Sequence, residues 1–422
     1  MSRIVVVGGG FAGLSAAARL AKLRHDVTLL EASDRLGGRM LGHTIDGHTW
    51  QLSPESMTLP GVVRDLFRKS GRTIEQSLEL APAPPRRHVF ADRSVLDLPS
   101  GDRGEQHDAV TALLGADPWS PWLDSLAEPW DVLRREVLER LLDGRDSIAR
   151  ETRDALSVRR PVTRLARKDL RDDRLRSMLT DPVRLDGHTP RAVPAFVAVQ
   201  HYVERAVGRW RVEGGLPALA GALATRLQER SVDVRTGVRA HELSIESGRV
   251  TAVVTDHETV AADVVVWCAP TWPAPLPDPP GLPAIPATRA LLRLDPAVDL
   301  PLELLVHADP PMHVWGDGAG HWAIAHHNPE DPVTALARVG VRIKEHVLQT
   351  HELTPADLVR RGHWGWAWQG WTTLYDRPGT SAEQRFGGTL FMAGAHAHPG
   401  GTIEEIGMAT ATIADAVGAA PR

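Results

Sequence analysis

The sequence predicts an α/β protein in which a parallel-sheet unit is interrupted by a second unit that combines helices with an antiparallel sheet. Three observations support this prediction. An N-terminal run of β-branched residues leads directly into closely spaced glycines and a helical pattern. A second glycine-rich segment, near the C-terminus, also lies between a strand pattern and a helical pattern. Between them come Arg-rich helical patterns and, over residues 288–328, strand patterns separated by turn residues.

Composition limits the class of protein. The 422 residues, 42% of them hydrophobic, suffice for two cores of a soluble globular protein. A net charge of −5 gives no sign of a nucleic-acid partner. The chain starts on its first strand pattern without a secretory leader, and no apolar run approaches the length of a bilayer span. We therefore expect a cytoplasmic protein, and peripheral membrane contact stays open.

The first glycine-rich turn has the spacing of a dinucleotide-binding loop, G-x-G-x-x-G, directly after a strand and before a helix. The first glycine, Gly8, allows the tight turn, and Gly10 lets the backbone approach a pyrophosphate. Gly13 lets the helix pack closely on the strand. The helix N-terminus then presents free N–H groups and the positive end of its dipole to phosphate. The residues expected at this end of the cofactor are Gly8, Gly10, Phe11, Ala12 and Gly13.

The second strand pattern ends on an acid, Glu31, and a Gly-Gly-Arg sequence follows. A carboxylate at this position binds a ribose hydroxyl and repels a 2′-phosphate, which disfavours NADP. The two glycines, Gly37 and Gly38, bring the backbone close to the cofactor. Arg39 then offers a planar charged fork to the pyrophosphate.

Residues 31–39, EASDRLGGR, resemble the E-A-x-x-R-x-G-G-R signature of the flavin-dependent amine oxidase and phytoene desaturase superfamily. Residues 389–403, TLFMAGAHAHPGGTI, resemble its closing motif, L-[YF]-x-x-G-A-x-x-H-P-G-x-G-[IV]. The resemblance implies a Rossmann-type, GR2-like domain that binds FAD. The binding is expected to be non-covalent, since no cysteine lies near the closing motif. Further cofactor contacts implied by the resemblance are Ala32, Arg35, Val238, Gly394, Ala395, Gly401, Thr402 and Ile403.

The resemblance covers both ends of the chain and one central segment, so the FAD-binding domain is expected to be discontinuous. We assign to it residues 1–75, 208–270 and 384–422. Residues 76–207 and 271–383 are assigned to a substrate-binding α+β domain with an antiparallel sheet and helices. Within that domain, residues 331–349 are expected to form one helix.

The candidate substrate wall is the sequence HWGWAWQGW at residues 363–371. If this segment is a strand, Trp364, Trp366 and Trp368 share one face, because strand side chains alternate. Core packing between the domains is the alternative explanation. The candidate catalytic acids or bases are His398, His396 and Glu55. For His398, which matches a motif histidine, a hydrogen bond to the loop or cofactor is the alternative role. No residue spacing indicates a metal site.

The resemblance implies an FAD-dependent oxidoreductase that desaturates or oxidises a hydrophobic, isoprenoid-like or aromatic small molecule. Hydride transfer to flavin N5 would be the chemical step, with O2 or a quinone as electron acceptor. Three alternatives stay open: a flavin amine oxidase, a redox-neutral isomerase that uses reduced FAD, and a flavin-binding partner protein without turnover. The closing motif lacks an aromatic pair that would bracket the flavin, which counts against the amine oxidase. The Trp-rich segment counts against the non-catalytic protein.

Overall fold

The computed structural model describes residues 1–142, 147–276, 281–376 and 386–421. The strands are β1 (Arg3–Val7), β2 (Asp26–Glu31), β3 (His43–Ile45), β4 (His48–Trp50), β5 (Leu80–Pro82), β6 (Arg86–Phe90), β7 (Val95–Leu98), β8 (Trp210–Val212), β9 (Asp233–Thr236), β10 (Ala240–Glu246), β11 (Arg249–Thr255), β12 (Thr259–Ala261), β13 (Val264–Trp267), β14 (Thr288–Leu294), β15 (Glu303–His307), β16 (Met312–Gly316), β17 (His321–His326), β18 (Val347–Leu353) and β19 (Leu390–Met392).

The α-helices of the described residues are α1 (Phe11–Lys22), α2 (Pro60–Ser70), α3 (Arg103–Leu114), α4 (Trp119–Asp124), α5 (Ala127–Leu133), α6 (Arg150–Ala155), α7 (Val162–Asp169), α8 (Asp173–Leu185), α9 (Val199–Val207), α10 (Gly215–Glu229), α11 (Pro332–Arg338), α12 (Pro355–Arg360), α13 (Thr373–Asp376) and α14 (Ile403–Val417). Arg-rich α3 to α9 lie between the two sheet-forming parts of the chain, as the sequence predicts.

A parallel sheet of five strands carries the two ends of the chain, in the order β19-β13-β1-β2-β9. The side chains of β1 alternate between two cores because strand residues point to opposite faces in turn. Ile4 and Val6 pack with residues of α1, α10 and α14. Val5 and Val7 pack on the opposite face with residues of the three-stranded sheet β10-β11-β12. The carboxyl ends of the parallel strands therefore meet at one covered edge.

A second sheet of seven strands has the order β18-β14-β17-β16-β15-β6-β7. Its pairs are antiparallel, except that β15 and β6 run parallel. This pair joins the hairpin at residues 86–98 to the strands of residues 288–353. The two segments that interrupt the parallel unit therefore contribute to one sheet. These strands lie in the segments assigned to the substrate-binding domain, and the domain boundaries themselves stay a prediction.

The helix expected over residues 331–349 is shorter than predicted. Its start is correct, since Asp331 caps it by accepting hydrogen bonds from the amides of Val333 and Thr334. It ends at Arg338 because Gly340, with φ of +96°, turns the chain out of the helix. The remainder of the predicted helix, from Val347 onwards, belongs to β18, which pairs with β14. Alternating half-buried side chains along β18 explain why it forms a strand.

A buried ion cluster of Arg86, Glu204, Arg209 and Glu303 lies where the chain crosses between the two sheets. Arg86 donates to Glu303 at 2.7 Å and to Glu204 at 3.1 Å. Arg209 also donates to Glu303, and to the carbonyl of Pro84 at 2.7 Å. Burial alone would raise the pKa of Glu303, but Arg86 and the other cations outweigh it and hold that pKa well below its usual range.

In the part of the chain that the structure describes, we find no helix with the length and apolarity that crossing a membrane requires.

We predict that Glu303→Gln lowers the free energy of unfolding by about 3–5 kcal/mol at neutral pH, because it leaves buried guanidinium groups uncompensated. Arg87→Ala, which removes an exposed ion pair with Asp97, should cost about 1 kcal/mol or less. Thermal denaturation across pH measures both changes. Since the folded pKa of Glu303 is depressed, its contribution is present above the unfolded pKa and is lost as the pH falls through the folded value. The gap between wild type and Glu303→Gln should therefore narrow in acid, and a constant gap would contradict this assignment.

Candidate functional site

The glycine-rich turn lies at the carboxyl ends of β1 and β2, and its glycines meet different constraints. Gly8 has φ of +101°, and a Cβ there would lie 2.9 Å from the amide nitrogen of Ala269. A Cβ at Gly13 would lie 1.8 Å from the carbonyl oxygen of Gly8. A Cβ at Gly10 would meet no atom within 4 Å. Gly8 and Gly13 are therefore required by the protein fold itself, whereas Gly10 faces open space.

Glu31 organises the loop after β2. Its Oε2 accepts a hydrogen bond from the amide of Gly9 at 2.6 Å, and its Oε1 accepts from the amide of Ser33 at 2.7 Å. Val238 donates its amide to the carbonyl of Glu31 at 2.9 Å. The carboxylate thus holds the glycine-rich turn, and Val238 lies beside it. Ala32 and Arg35 are exposed on the same loop.

The Gly-Gly-Arg sequence packs against the glycine-rich turn. Gly37 donates its amide to the carbonyl of Gly9 at 2.8 Å, and a Cβ at Gly38 would lie 3.1 Å from Cα of Gly10. The guanidinium of Arg39 makes no hydrogen bond or ion pair with any described residue. Its side chain reaches solvent, yet surrounding protein lowers its pKa through desolvation, so Arg39 lies in a cleft and not on an open surface.

The closing motif brings its loop to the same edge of the sheet, after β19. Gly394 has φ of +126°, and a Cβ at Gly401 would lie 2.6 Å from Cβ of Ala395, so this loop folds tightly on itself. Thr402 caps α14, which begins at Ile403, through reciprocal hydrogen bonds with Glu405. The helix N-terminus therefore points towards the cleft with its dipole fixed.

His396 and His398 lie on this loop and are both buried. His398 Nε2 hydrogen-bonds the carbonyl of Val137 at 2.9 Å, which ties the loop to the helical segment. Burial lowers the pKa of His396 to about 4, although a hydrogen bond that His396 donates to the backbone of Trp267 acts to raise it. The ring of His396 is therefore neutral near pH 7. The contact of His398 agrees with the structural alternative for this residue, and catalytic roles for both histidines stay untested predictions.

Glu55 accepts a hydrogen bond at 3.1 Å from the amide of Leu216, in the first turn of α10. A carboxylate at a helix N-terminus satisfies an amide that lacks a partner in the helix and interacts favourably with the dipole. This contact gives Glu55 a structural role. Its predicted catalytic role is untested.

The Trp-rich segment is not a strand, so the expected shared face of its tryptophans is wrong. The segment makes one isolated bridge, between Trp366 and Pro283. Trp366 turns inward and donates from Nε1 to the carbonyl of His396 at 2.7 Å. Trp364 meets it edge-on, with ring centroids 5.1 Å apart, while Trp368 packs on Phe196. Trp366 thus supports the closing loop, and substrate contact by the three tryptophans stays a prediction.

The structure also brings together two charged residues that the sequence analysis does not identify. Asp186, just after α8, and Arg289, on β14, both interact electrostatically with Arg39. Asp186 also interacts with Glu405, in the first turn of α14. Asp186 is exposed to solvent in the open cleft, yet desolvation by the surrounding protein raises its pKa to about 6, and desolvation lowers the pKa of half-buried Arg289 to about 10. Neither residue belongs to a local motif, so no sequence signal marks them.

The residues at this edge fit a dinucleotide diphosphate. Space is open in front of Gly10, and the first turn of α1 carries no acidic side chain that would repel phosphate. The unpaired guanidinium of Arg39 lies in the same cleft and suits a diphosphate geometrically. The sequence contains one cysteine, Cys268. Burial raises the pKa of its thiol, which disfavours the reactive thiolate form.

Comparison with known proteins agrees with these features. The model of the family "Flavin containing amine oxidoreductase" matches residues 11–331. A hydroxyneurosporene desaturase of Cereibacter sphaeroides is 33% identical over 276 residues, which are 63% of this chain and 55% of that protein. A 4,4'-diapolycopene oxygenase of Methylomonas sp is 28% identical over 279 residues, which are 63% of this chain and 55% of that protein. The chain spans about half the length of these curated relatives.

Among solved structures, a cyclohexylamine oxidase from Brevibacterium oxydans superposes with a TM-score of 0.63 at 15% identity, covering 99% of both chains. At this identity the likeness concerns the fold alone. Together the comparisons confirm the predicted superfamily, the α/β fold class and FAD as the cofactor.

We predict that Gly10→Ala impairs FAD binding, whereas Gly13→Ala impairs the stability of the apoprotein. Gly10→Ala should leave the melting temperature of the apoprotein unchanged and weaken FAD binding at least about tenfold, because the added methyl group keeps the diphosphate at a distance. Gly13→Ala should destabilise the apoprotein itself, since its Cβ collides with a backbone carbonyl. Gly61→Ala, with no atom within 4 Å of its added Cβ, is the matched control. Thermal denaturation and FAD titration separate the two effects, and a Gly10→Ala apoprotein as unstable as Gly13→Ala would contradict them.

Proposed function

The chain belongs to the flavin-containing amine oxidoreductase family, and on that premise we propose that it is an FAD-dependent oxidoreductase that dehydrogenates a hydrophobic, isoprenoid-like small molecule. The observation that supports this most strongly is the closing loop between the dinucleotide-binding edge and the Trp-rich segment. Trp366 donates to the loop backbone at His396, and the ring of Trp364 lies 6.5 Å from that of His396. Aromatic surface beside the cofactor loop suits a flat or apolar substrate.

The names of the relatives support the substrate class. Among the curated relatives, the hydroxyneurosporene desaturase and the diapolycopene oxygenase carry the names of isoprenoid compounds. We infer an isoprenoid-like substrate for this chain from these names together with the aromatic surface beside the loop.

FAD, when bound, would supply a two-electron acceptor for the hydride of a substrate C–H bond, with loss of a proton from the neighbouring carbon and formation of a C=C bond, and an external acceptor, O2 or a quinone, would take up the two electrons. The chain's own contribution is positional. Trp366 and His398 hold the closing loop from two sides, and the capped N-terminus of α14 stabilises negative charge beside it.

The proton does not require a strong base at the closing loop. His396 is buried and has a pKa of about 4, so it accepts protons poorly at neutral pH. The carboxylate of Glu55 is held by the start of α10. Asp186, with a pKa of about 6, is the cleft carboxylate whose charge state changes near neutral pH. Proton release to solvent through the cleft is therefore compatible with the proposed reaction.

The test is the reactivity of the reduced flavin. The purified holoprotein is photoreduced without oxygen and then mixed in a stopped-flow instrument with aerated buffer or with a soluble quinone. We expect slow reoxidation by oxygen and markedly faster reoxidation by the quinone, as a dehydrogenase requires. Rapid reoxidation by oxygen with release of peroxide would contradict the proposal and favour an amine oxidase. Isoprenoid turnover without consumption of any acceptor would favour the isomerase.

A further inference from the structure

The cleft beside the cofactor loops contains a carboxylate and a guanidinium that the proposed chemistry does not use. Asp186 follows directly on the C-terminus of α8, and no hydrogen bond or ion pair of its carboxylate with a described residue is present. Arg289 donates to the carbonyls of Leu52 at 3.0 Å and Ala287 at 2.6 Å. Its guanidinium lies 5.4 Å from the centre of the Trp315 ring. Arg289 is thus held by two backbone carbonyls, and no carboxylate among the described residues lies within ion-pair distance of it.

Backbone packing fixes the two residues near each other. A Cβ at Gly187 would lie 2.1 Å from the carbonyl oxygen of Ile285, so the chain after Asp186 presses against the approach to β14. His327, after β17, hydrogen-bonds the carbonyl of Leu185 at 3.3 Å. The residues on either side of Asp186 are therefore anchored to the strands that carry and flank Arg289. Such anchoring makes the pair a preorganised feature of the cleft.

The pair also lies close to the cofactor motifs. Asp186 interacts electrostatically with Arg39 of the Gly-Gly-Arg loop and with Glu405 of α14. Burial, together with the positive charges of Arg39 and Arg289, lowers the pKa of His363, at the start of the Trp-rich segment, to about 2. The cleft thus brings Asp186 and Arg289 together with both cofactor loops and the aromatic segment.

The charge balance selects the chemistry of the ligand. With FAD bound, Arg39 and the positive N-terminus of α1 would together compensate the diphosphate, and Glu405 stays engaged with the amide of Thr402. Asp186 and Arg289 then carry opposite charges that cancel. An added ammonium or carboxylate would leave one unit of charge uncompensated in a cleft that already desolvates its residues. A neutral group with both hydrogen-bond donor and acceptor capacity fits without that cost.

We propose that Asp186 and Arg289 bind a neutral oxygen-bearing group, a hydroxyl or a carbonyl, of an otherwise apolar substrate. The substrate is then an oxygenated isoprenoid-like molecule and not a plain hydrocarbon. This proposal rests on the proposed function. Arg289 donates to the ligand oxygen, and Asp186 accepts from a hydroxyl. The apolar remainder of the substrate lies along the tryptophan-bearing segment.

The test compares phytene, phytol and phytylamine, which share one branched chain and differ in the terminal group. Each is titrated in detergent micelles into the oxidised holoprotein, and perturbation of the flavin absorbance reports binding. Since a hydrogen bond to a charged group contributes about 1.5–3 kcal/mol, phytol should bind at least about tenfold more tightly than phytene. It should also bind more tightly than phytylamine.

Variants test whether Asp186 causes the preference for phytol over phytene. Asp186→Ala should remove most of the preference for phytol and leave phytene binding unchanged, whereas Asp186→Asn, whose amide oxygen still accepts a hydrogen bond, should retain part of it. Asp173→Ala, at the exposed start of the same helix, is the matched control and should behave as wild type. The flavin spectrum of each variant verifies that FAD is bound.

The outcomes separate the two proposals. Equal binding of phytene and phytol, or an unchanged preference in Asp186→Ala, overturns the oxygen site and leaves the proposed function standing. Tighter binding of phytylamine than of phytol also overturns the neutral-group assignment. If no chain perturbs the flavin, the isoprenoid function and the oxygen site both fall.

Discussion

The close approach of the glycine-rich turn to the first helix is the constraint on which the rest of the structure depends. The carbonyl of Gly8 occupies the place where a side chain at Gly13 would begin, so α1 can lie directly on β1. That packing aims the helix N-terminus at the carboxyl edge of the parallel sheet. Glu31 fixes the turn from the neighbouring strand through the amide of Gly9. The loops after β2 and β19 lie at this same edge of the sheet and form the cofactor side of the cleft.

The second half of the cleft is built by chain segments that are far apart in sequence. The pairing of β15 with β6 joins the two insertions into one sheet, and the buried ion cluster around Glu303 ties that sheet to the point where the chain returns to the parallel unit. Two hydrogen bonds join the inserted segments to the closing loop: Trp366 donates to the carbonyl of His396, and His398 donates to the carbonyl of Val137. The position of the closing loop is thus coupled to the inserted segments.

Local signals explain which parts of the fold are predictable from the sequence. The turn between β1 and α1 is predictable because Gly8 and Gly13 each have a steric reason, and the end of α11 shortly before Gly340 is predictable in retrospect from the same kind of signal. The Trp-rich segment has strand-like alternation but lacks strand partners, because Trp366 turns inward to bond the closing loop. Periodicity indicates which secondary structure a segment favours, and tertiary contacts decide which secondary structure it adopts. Asp186 and Arg289 escape prediction altogether, since their proximity arises from packing between α8 and β14.

The most direct test of this account is a crystal structure of the protein with FAD bound. The account predicts a diphosphate over Gly10 with Arg39 as its partner, and a flavin ring whose N5 edge faces the space between Trp364, Asp186 and Arg289. The flavin ring would then face both the Trp-rich segment and the pair of Asp186 and Arg289. A ring that faces a different surface, with Asp186 and Arg289 out of reach of any ligand at N5, would contradict the account.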